Sequence, residues 1–571
     1  MLKTHEIIKI REKRRFGGFL SVQRGLLVFT FIIFLICGPQ TALSTSEKSY
    51  DVLIKGGTIY DGTLKPPYVA DIGIKNDKIA AIRILSGEAN KTLDASGFIV
   101  TPGFIDIHEH SDVLLDMIAS GEGFDFTPAM KENLKGNFNA LYQGVTTVVT
   151  GNCGNGISDM DRWFAMIESM NFGTNVMHLV PHGKLRQELF GPENQPGELN
   201  SKQLGQLKAR LEEEMKKGAC GMSTGLAYSP GIAARTEELI ELAKIVEKYG
   251  GIYATHMRDE SGMVLEDGRI ALLESIREAI EIGRKAGVPV QISHLKLAAP
   301  FGGVKASQIL GLIKEARREG LDITADSYPY TAGFTEISIL LPARFKKPEG
   351  GIADDYKTEE GREEIKDFIQ EIFTDIPPEK IKLVLADEPT YQGKTLKEIA
   401  ALEGKDSAEC YADLVCDHAI AGIIFALNEQ TMRDFMPNHY VFTSSDGMTW
   451  PEGISGGAHP RYFGAFARKL KVFAIDEELM RFNDAIRSMT YLPAEKLGLK
   501  GRGKIEEGAF ADIVVLDLNT LTDKSTYEEP NAYAEGIVHL LVNGVVTIEN
   551  QRLTGRRGGM VLRGRGKTED Q

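Results

Sequence analysis

Six side chains in this 571-residue sequence are of the types that hold metals or move protons, and each follows a short apolar run. His108 and His110 close GFIDIHEH, Cys153 sits in TVVTGNCGNG, His256 closes GGIYATH, His294 follows GVPVQIS, and Asp446 follows HYVFTSS. Imidazole nitrogens, a thiolate and a carboxylate are the donors zinc prefers. On an extended strand, residues two apart face the same way, so His108 and His110 can share a metal. Taken singly, each has a blander use. A lone histidine usually serves as a satisfied core or surface residue, and a lone cysteine as a small hydrophobe, a disulfide half or a nucleophile. The coincidence decides for a metal site: these six all fall at the ends of strand candidates, whereas His5, His418 and His539 scatter among helices and loops.

The elements that must position them alternate. Apolar runs at GFIDIHEH, GVTTVVTG, NVMHLVPHG, GACGMSTG, GGIYATHM, GVPVQISHLK, LDITADSYPY and HYVFTSSDG read as eight strands. Between them lie helical patterns such as SKQLGQLKARLEEEMKKG and RTEELIELAKIVEKYG, closed by glycine. Eight such units predict an α/β fold, a (β/α)8 TIM-like barrel over residues 103–489, with the active face at the strand C-termini. One connection, about 336–437, is far too long for a loop and is expected to be an inserted subdomain or lid. Residues 50–102 and 490–565 show period-two alternation between Gly-Gly, Asp-Gly and Asn-Asp turns. Together they are expected to form one small β-sandwich domain built from both chain ends.

The chain carries a formal charge of −14. Residues 1–44 hold seven basic and two acidic side chains, which leaves −19 on the remainder. So acidic a body excludes nucleic acid as a partner, because phosphate neutralisation needs clustered Lys and Arg. The basic front end followed by LLVFTFIIFLI and the small residues of TALS reads as a signal peptide. It predicts an exported, secreted or periplasmic protein, with an uncleaved N-terminal membrane anchor as the minority alternative. Export permits disulfides, and Cys410 with Cys416 is the candidate pair.

TPGFIDIHEHSD resembles the first barrel strand of the metal-dependent amidohydrolase superfamily. GVTTVVTGNCG, GLAYSPG, ATHMRDE, SHLK, YPYTAG, SSDG and HPRYFGAF, in that order, resemble its N-acyl-D-amino-acid deacylase (D-aminoacylase) branch. The resemblance spans about residues 50–565 and implies a hydrolase of linear amides whose small-molecule substrate is an N-acyl-D-amino acid. It implies one tight Zn2+ held by Cys153, His256 and His294, with His108 and His110 forming a second, weaker position. It further implies Asp446 as general base and then acid, Lys296, Tyr328 and Arg461 on the substrate α-carboxylate, and Tyr228 on the scissile carbonyl. Arg258 is an additional candidate, with pairing to Asp259 or Glu260 as its alternative. Three departures stand out: Leu295 where a second histidine is expected, a long GEGFDFTPAMKENLKGN stretch that can remodel one wall of the site, and Phe334 where a smaller residue is usual.

Two rival enzymes remain at this level. One is another amidohydrolase, acting on a cyclic amide in the hydantoinase or dihydroorotase manner, or on D-amino-acid-containing dipeptides. The other is a serine hydrolase, because GMSTG matches the G-x-S-x-G elbow with Ser223 at its centre; that motif requires a helix directly afterwards, and LAYSPG reads as a turn.

Overall fold

The computed structural model describes residues 50–566 apart from 121–125, 192–196, 348–350, 387, 419 and 452–456. The expected signal segment and the start of the GEGFDF stretch lie outside the described residues.

Eight parallel strands follow one another around a barrel: Phe104–Asp106, Val145–Thr150, Asn175–His178 continued by Val180–Pro181, Gly221–Gly225, Ile252–His256, Val290–Ile292, Ile323–Ser327 and Val441–Thr443. The ring closes just beyond its first and last strands. There the Asp446 amide donates to the His108 carbonyl at 2.9 Å and the His110 amide to the Gly447 carbonyl at 2.7 Å. This closure holds the H-x-H pair and Asp446 side by side.

The helices form where the apolar spacing and caps predict. Ser201–Lys217 begins on an Asn200/Gln203 capping box and stops at Gly218, whose φ of +112° an L side chain would resist. Thr236–Lys248 and Ala271–Ala286 bury Leu239, Ala243 and Val246, and Leu272, Ile276 and Ala279, against the strands.

The connection after the seventh strand carries its own three-stranded antiparallel sheet, with Ala421–Ile424 between Gly333–Glu336 and Ile381–Leu385. A separate core of Ile365, Ile369, Leu383, Ile399 and Tyr411 fills it. Its limits differ from those read in the sequence. The sheet begins at Gly333, and helix Glu429–Phe435 buries Met432 and Phe435 in the barrel core, so it serves as a barrel helix. Cys410 and Cys416 both lie on helix Ser407–Asp417 as free, buried thiols. Six helical residues span about 9 Å along the axis, beyond the reach of a disulfide, which corrects the expected pairing.

Both chain ends meet in one nine-stranded sheet, where Ile513–Leu516 pairs antiparallel with Ile99–Pro102. Strand Tyr50–Ile59 changes partner at the Ile54/Gly57 bulge, pairing Ala89–Asp94 before it and Ile99–Val100 after it. The sheet thereby wraps a core of Ile54, Ile72, Val100, Ile513 and Val515. Residues 490–499 belong with the barrel instead: Ala494 and Leu497 pack on Ile105, Ile107 and Phe442. The final segment also returns to the barrel, the Val176 amide donating to Met560 O at 2.9 Å and the Leu562 amide to Val176 O at 2.8 Å.

Candidate metal centre

The loop after the second barrel strand turns on glycine. Gly151 has φ +75°, and a Cβ there would lie 2.2 Å from Leu179 O; at Gly154, φ +69°, it would lie 2.7 Å from Gly225 N. Between them Cys153 takes φ +53°, a left-handed conformation that ordinary L residues disfavour. Ser223 fixes both flanks, its Oγ accepting from the Gly154 amide at 3.0 Å and donating to the Gly151 carbonyl. That use corrects the nucleophile-elbow alternative. Ser223 is fully buried, its hydroxyl is engaged, and the chain runs on into a turn and the short 3-10 segment Gly231–Ala233 rather than a helix.

Held there, the Cys153 sulfur lies 3.4 Å from His108 Nε2, 3.5 Å from His294 Nε2 and 3.6 Å from His256 Nδ1. His108 Nε2 is 3.3 Å from His110 Nε2. Asp446 Oδ1 is 3.3 Å from His110 Nε2 and 3.5 Å from His108 Nε2. Donors around a tetrahedral zinc, with Zn–S about 2.3 Å and Zn–N about 2.0 Å, stand about 3.5 Å apart. Three donor triples thus fit a metal, and two of them share the sulfur: Cys153 with His256 and His294, and Cys153 with His108 and His110; the third joins His108, His294 and Asp446. His294 at φ +34° and Asp446 at φ +45° join Cys153 in the left-handed region, so three of the converging donors sit on strained backbone.

Charged groups surround the cluster. Arg461 Nη1 lies 2.9 Å from Asp446 Oδ2, and its guanidinium covers the Tyr328 ring at 4.7 Å. His459 orients this arginine by accepting the Arg461 amide at 3.0 Å on Nδ1, with Nε2 on the Ala332 carbonyl. Arg461 Nε and the Tyr328 hydroxyl are buried without a hydrogen-bond partner. The Tyr228 ring packs edge-on to His256 at 4.6 Å, and its hydroxyl meets Thr335 Oγ1 at 3.1 Å, which ties the insertion's first strand to the centre. Next to Thr335, the Phe334 ring stands 6.0 Å from that of Tyr462. The part of the long stretch that is described forms helix Pro128–Gly136, whose Leu134 carbonyl accepts from Thr449, three residues beyond Asp446.

Two carboxylates escaped the sequence reading. Glu260, in the loop after the fifth strand, lies 2.7 Å from Lys296 Nζ, 3.0 Å from His294 Nδ1 and 3.5 Å from His256 Nε2. Asp326, on the seventh strand, faces His108 Nδ1 at 3.5 Å and accepts the His294 amide at 2.9 Å. Arg258, by contrast, turns away. It pairs with Glu278 at 2.8 Å and with the carbonyls of Ile232 and Ala234, taking neither Asp259 nor Glu260. Leu295 is buried in the barrel core, so the position of the expected second histidine does not face the site.

Burial pushes His256 down to about 3 and His108 well below its usual range, which leaves both imidazoles neutral and able to ligate. Burial likewise raises the Cys153 thiol well above its ordinary value, with Asp446 adding to the effect, so the thiolate needs a cation beside it. Asp446 experiences the same burial, but Arg461 and the histidines outweigh it and hold the carboxyl well below the carboxylate range. Burial also opposes ionisation of Glu260, and Lys296 with His256 and His294 overcomes it.

The sequence matches the model of the Amidohydrolase family over residues 436–548. It is 32% identical over 545 residues to a D-aminoacylase of Alcaligenes xylosoxydans xylosoxydans, covering 91% of this chain and 98% of that one. It is 31% identical to an N-acyl-D-glutamate deacylase of the same organism, covering 90% and 97%. Among solved structures it resembles an N-acyl-D-glutamate deacylase of Bordetella bronchiseptica complexed with zinc and a phosphonate inhibitor. The TM-score is 0.74 at 30% identity, covering 90% of this chain and all of that one. Barrel, converging donors and end-to-end similarity agree: this chain belongs to the N-acyl-D-amino-acid deacylase (D-aminoacylase) family, hydrolases of linear amides within the amidohydrolase superfamily.

Proposed function

We propose that this protein hydrolyses N-acyl-D-amino acids to a carboxylate and a free D-amino acid. The observation that carries the proposal is the Cys153 sulfur within 3.6 Å of three imidazole nitrogens, with Asp446 at 3.3–3.5 Å from the H-x-H pair. Cys153, His256 and His294 would hold one tight Zn2+, and His108 and His110 with Cys153 would offer a second, weaker position. A zinc ion bound there supplies Lewis acidity and brings the pKa of water down to about 7.

Asp446 takes the proton from the attacking water and passes it to the departing amine nitrogen, acting as base and then acid. Tyr228 donates to the oxygen of the scissile carbonyl as negative charge develops there. Arg461, Tyr328 and Lys296 bind the substrate α-carboxylate. The unpartnered Arg461 Nε and Tyr328 hydroxyl supply donors for it, and a local clamp is needed because a chain at −14 repels anions at long range. A free α-carboxylate is absent from cyclic amides, so this clamp favours a linear substrate. The D configuration is supported by the relatives' activities.

The test is a panel of N-acetyl-D- and N-acetyl-L-amino acids given to the purified zinc-loaded protein. Acetate and the free D-amino acid are expected from the D series alone. Release from the L series, or from neither, overturns the assignment. Export through residues 1–44 is part of the same proposal and is checked by the N-terminal sequence of protein recovered outside the cytoplasm.

A further inference from the structure

His256 and His294 present opposite ring nitrogens to the Cys153 sulfur, Nδ1 in the first and Nε2 in the second. A nitrogen that ligates a metal carries no proton, so the proton of a neutral ring must sit on the outward nitrogen. The two rings therefore need opposite tautomers. Their outward nitrogens converge on one side chain. His294 Nδ1 lies 3.0 Å from Glu260 Oε1, and His256 Nε2 lies 3.5 Å from Glu260 Oε2. Each carboxylate oxygen faces one imidazole, and an ionised carboxylate only accepts hydrogen bonds.

Lys296 makes this arrangement consequential. Its Nζ stands 2.7 Å from Glu260 Oε2, 2.6 Å from His294 Nδ1 and 3.2 Å from the His294 carbonyl. An ammonium donating into His294 Nδ1 would force the ring proton onto Nε2, the nitrogen that faces Cys153. Glu260 opposes that outcome in two ways: its buried Oε1, which has no hydrogen-bond partner, stands 3.0 Å from His294 Nδ1 where it can take the ring's proton, and its Oε2 draws the ammonium to itself. Glu260 is 11% exposed on its side chain, so the contest takes place largely out of water, where each hydrogen bond counts for more.

We propose that Glu260 is a positioning residue that sets the tautomers of both His256 and His294 for metal binding and keeps Lys296 from capturing His294. The proposal rests on the reading of the cluster as a metal centre but not on the substrate assigned to it. Carboxylates behind metal-binding histidines fix ring orientation, and their loss typically costs 10–100-fold in metal affinity. Here one carboxylate serves two ligands of opposite tautomer.

The experiment measures zinc affinity by chelator competition on the full-length chain, wild type and Glu260→Gln, without substrate. The glutamine amide keeps one acceptor and puts an N–H2 donor in place of the other, so one imidazole loses its partner. Zinc affinity is expected to fall 10–100-fold in Glu260→Gln, and the visible spectrum of the cobalt(II)-loaded variant is expected to shift, because the ligand field changes. Affinity within twofold of wild type with an unchanged cobalt spectrum overturns the proposal. If Glu260→Gln does not fold, Glu260→Asp decides by the same readings, since the shorter side chain cannot reach both rings. Failure of both variants to fold makes Glu260 structural and also overturns it. Absence of D-substrate hydrolysis with zinc affinity responding as stated would count against the proposed function and leave this proposal standing.

Discussion

Replacing Cys153 by alanine removes the one donor common to the two sulfur-bearing triples. Zinc sites with four protein ligands bind with about 10–16 kcal/mol, or about 3 kcal/mol per ligand, so the tight position should weaken by about 10²-fold or more. The fold should barely notice. Cys153 forms no disulfide, and alanine bears the same left-handed backbone penalty as cysteine at φ +53°, so metal-free stability should change by about 1 kcal/mol or less. Chelator competition on metal-free protein gives the affinity, and thermal unfolding of the same sample gives the stability. His110→Asn is the comparison: His110 belongs to only one triple, so it should leave the tight position close to wild type. Zinc affinity within tenfold of wild type in Cys153→Ala would refute the assignment of the sulfur as a shared ligand. A large loss of metal-free stability would show instead that the cysteine is a packing residue.

Asp446→Asn should lower kcat by about 10²–10⁴-fold, the usual contribution of a general base, with zinc content unchanged; retained turnover removes Asp446 from that role. Ser223→Ala leaves the buried Gly154 amide without its acceptor, which should cost about 1–3 kcal/mol in thermal unfolding while hydrolysis persists; abolished turnover with zinc in place would revive the serine-hydrolase alternative. Lys469 is fully buried with only Ser488 Oγ at 3.0 Å, and burial pushes it down to about 7 from 10.5. Below about pH 7 the lysine is charged in both folded and unfolded states, and the folded protein bears the whole desolvation cost. As pH rises towards 10.5 the unfolded chain binds more protons than the folded one, so stability from this group increases with pH. Lys469→Met should therefore raise stability by up to about 5 kcal/mol below pH 7, with the advantage shrinking towards pH 10.5; a pH-independent difference contradicts it.

The eight barrel strands were legible because each is a short apolar run bounded by turn residues, and the converging donor side chains were legible because a barrel gathers its polar residues where those runs end. Cys153 stood out only in company: its loop geometry depends on Ser223, seventy residues later, and no local pattern announces that clamp. Glu260 was overlooked for a different reason. In ATHMRDE, three consecutive charged residues look like an ordinary solvated turn. Packing alone separates them, sending Arg258 to Glu278 on helix Ala271–Ala286 and Glu260 inward to Lys296. Asp326 was hidden within the apolar run LDITADS, where only the inward direction of its side chain, beneath His108, distinguishes it from a hydrogen-bonded core residue. The end of the insertion was misplaced because helix Glu429–Phe435 has the same amphipathic texture as the helices before it. The choice between barrel and insertion was made by what Met432 and Phe435 pack against.

The most direct test of a zinc-dependent D-aminoacylase is a titration of metal-free protein with Zn2+ while release of free D-amino acid from N-acetyl-D-substrates is followed. Hydrolysis should be absent without metal and rise to its full rate at one equivalent, with the L enantiomers untouched throughout. Full activity in the metal-free protein, or equal rates for both enantiomers, would contradict it.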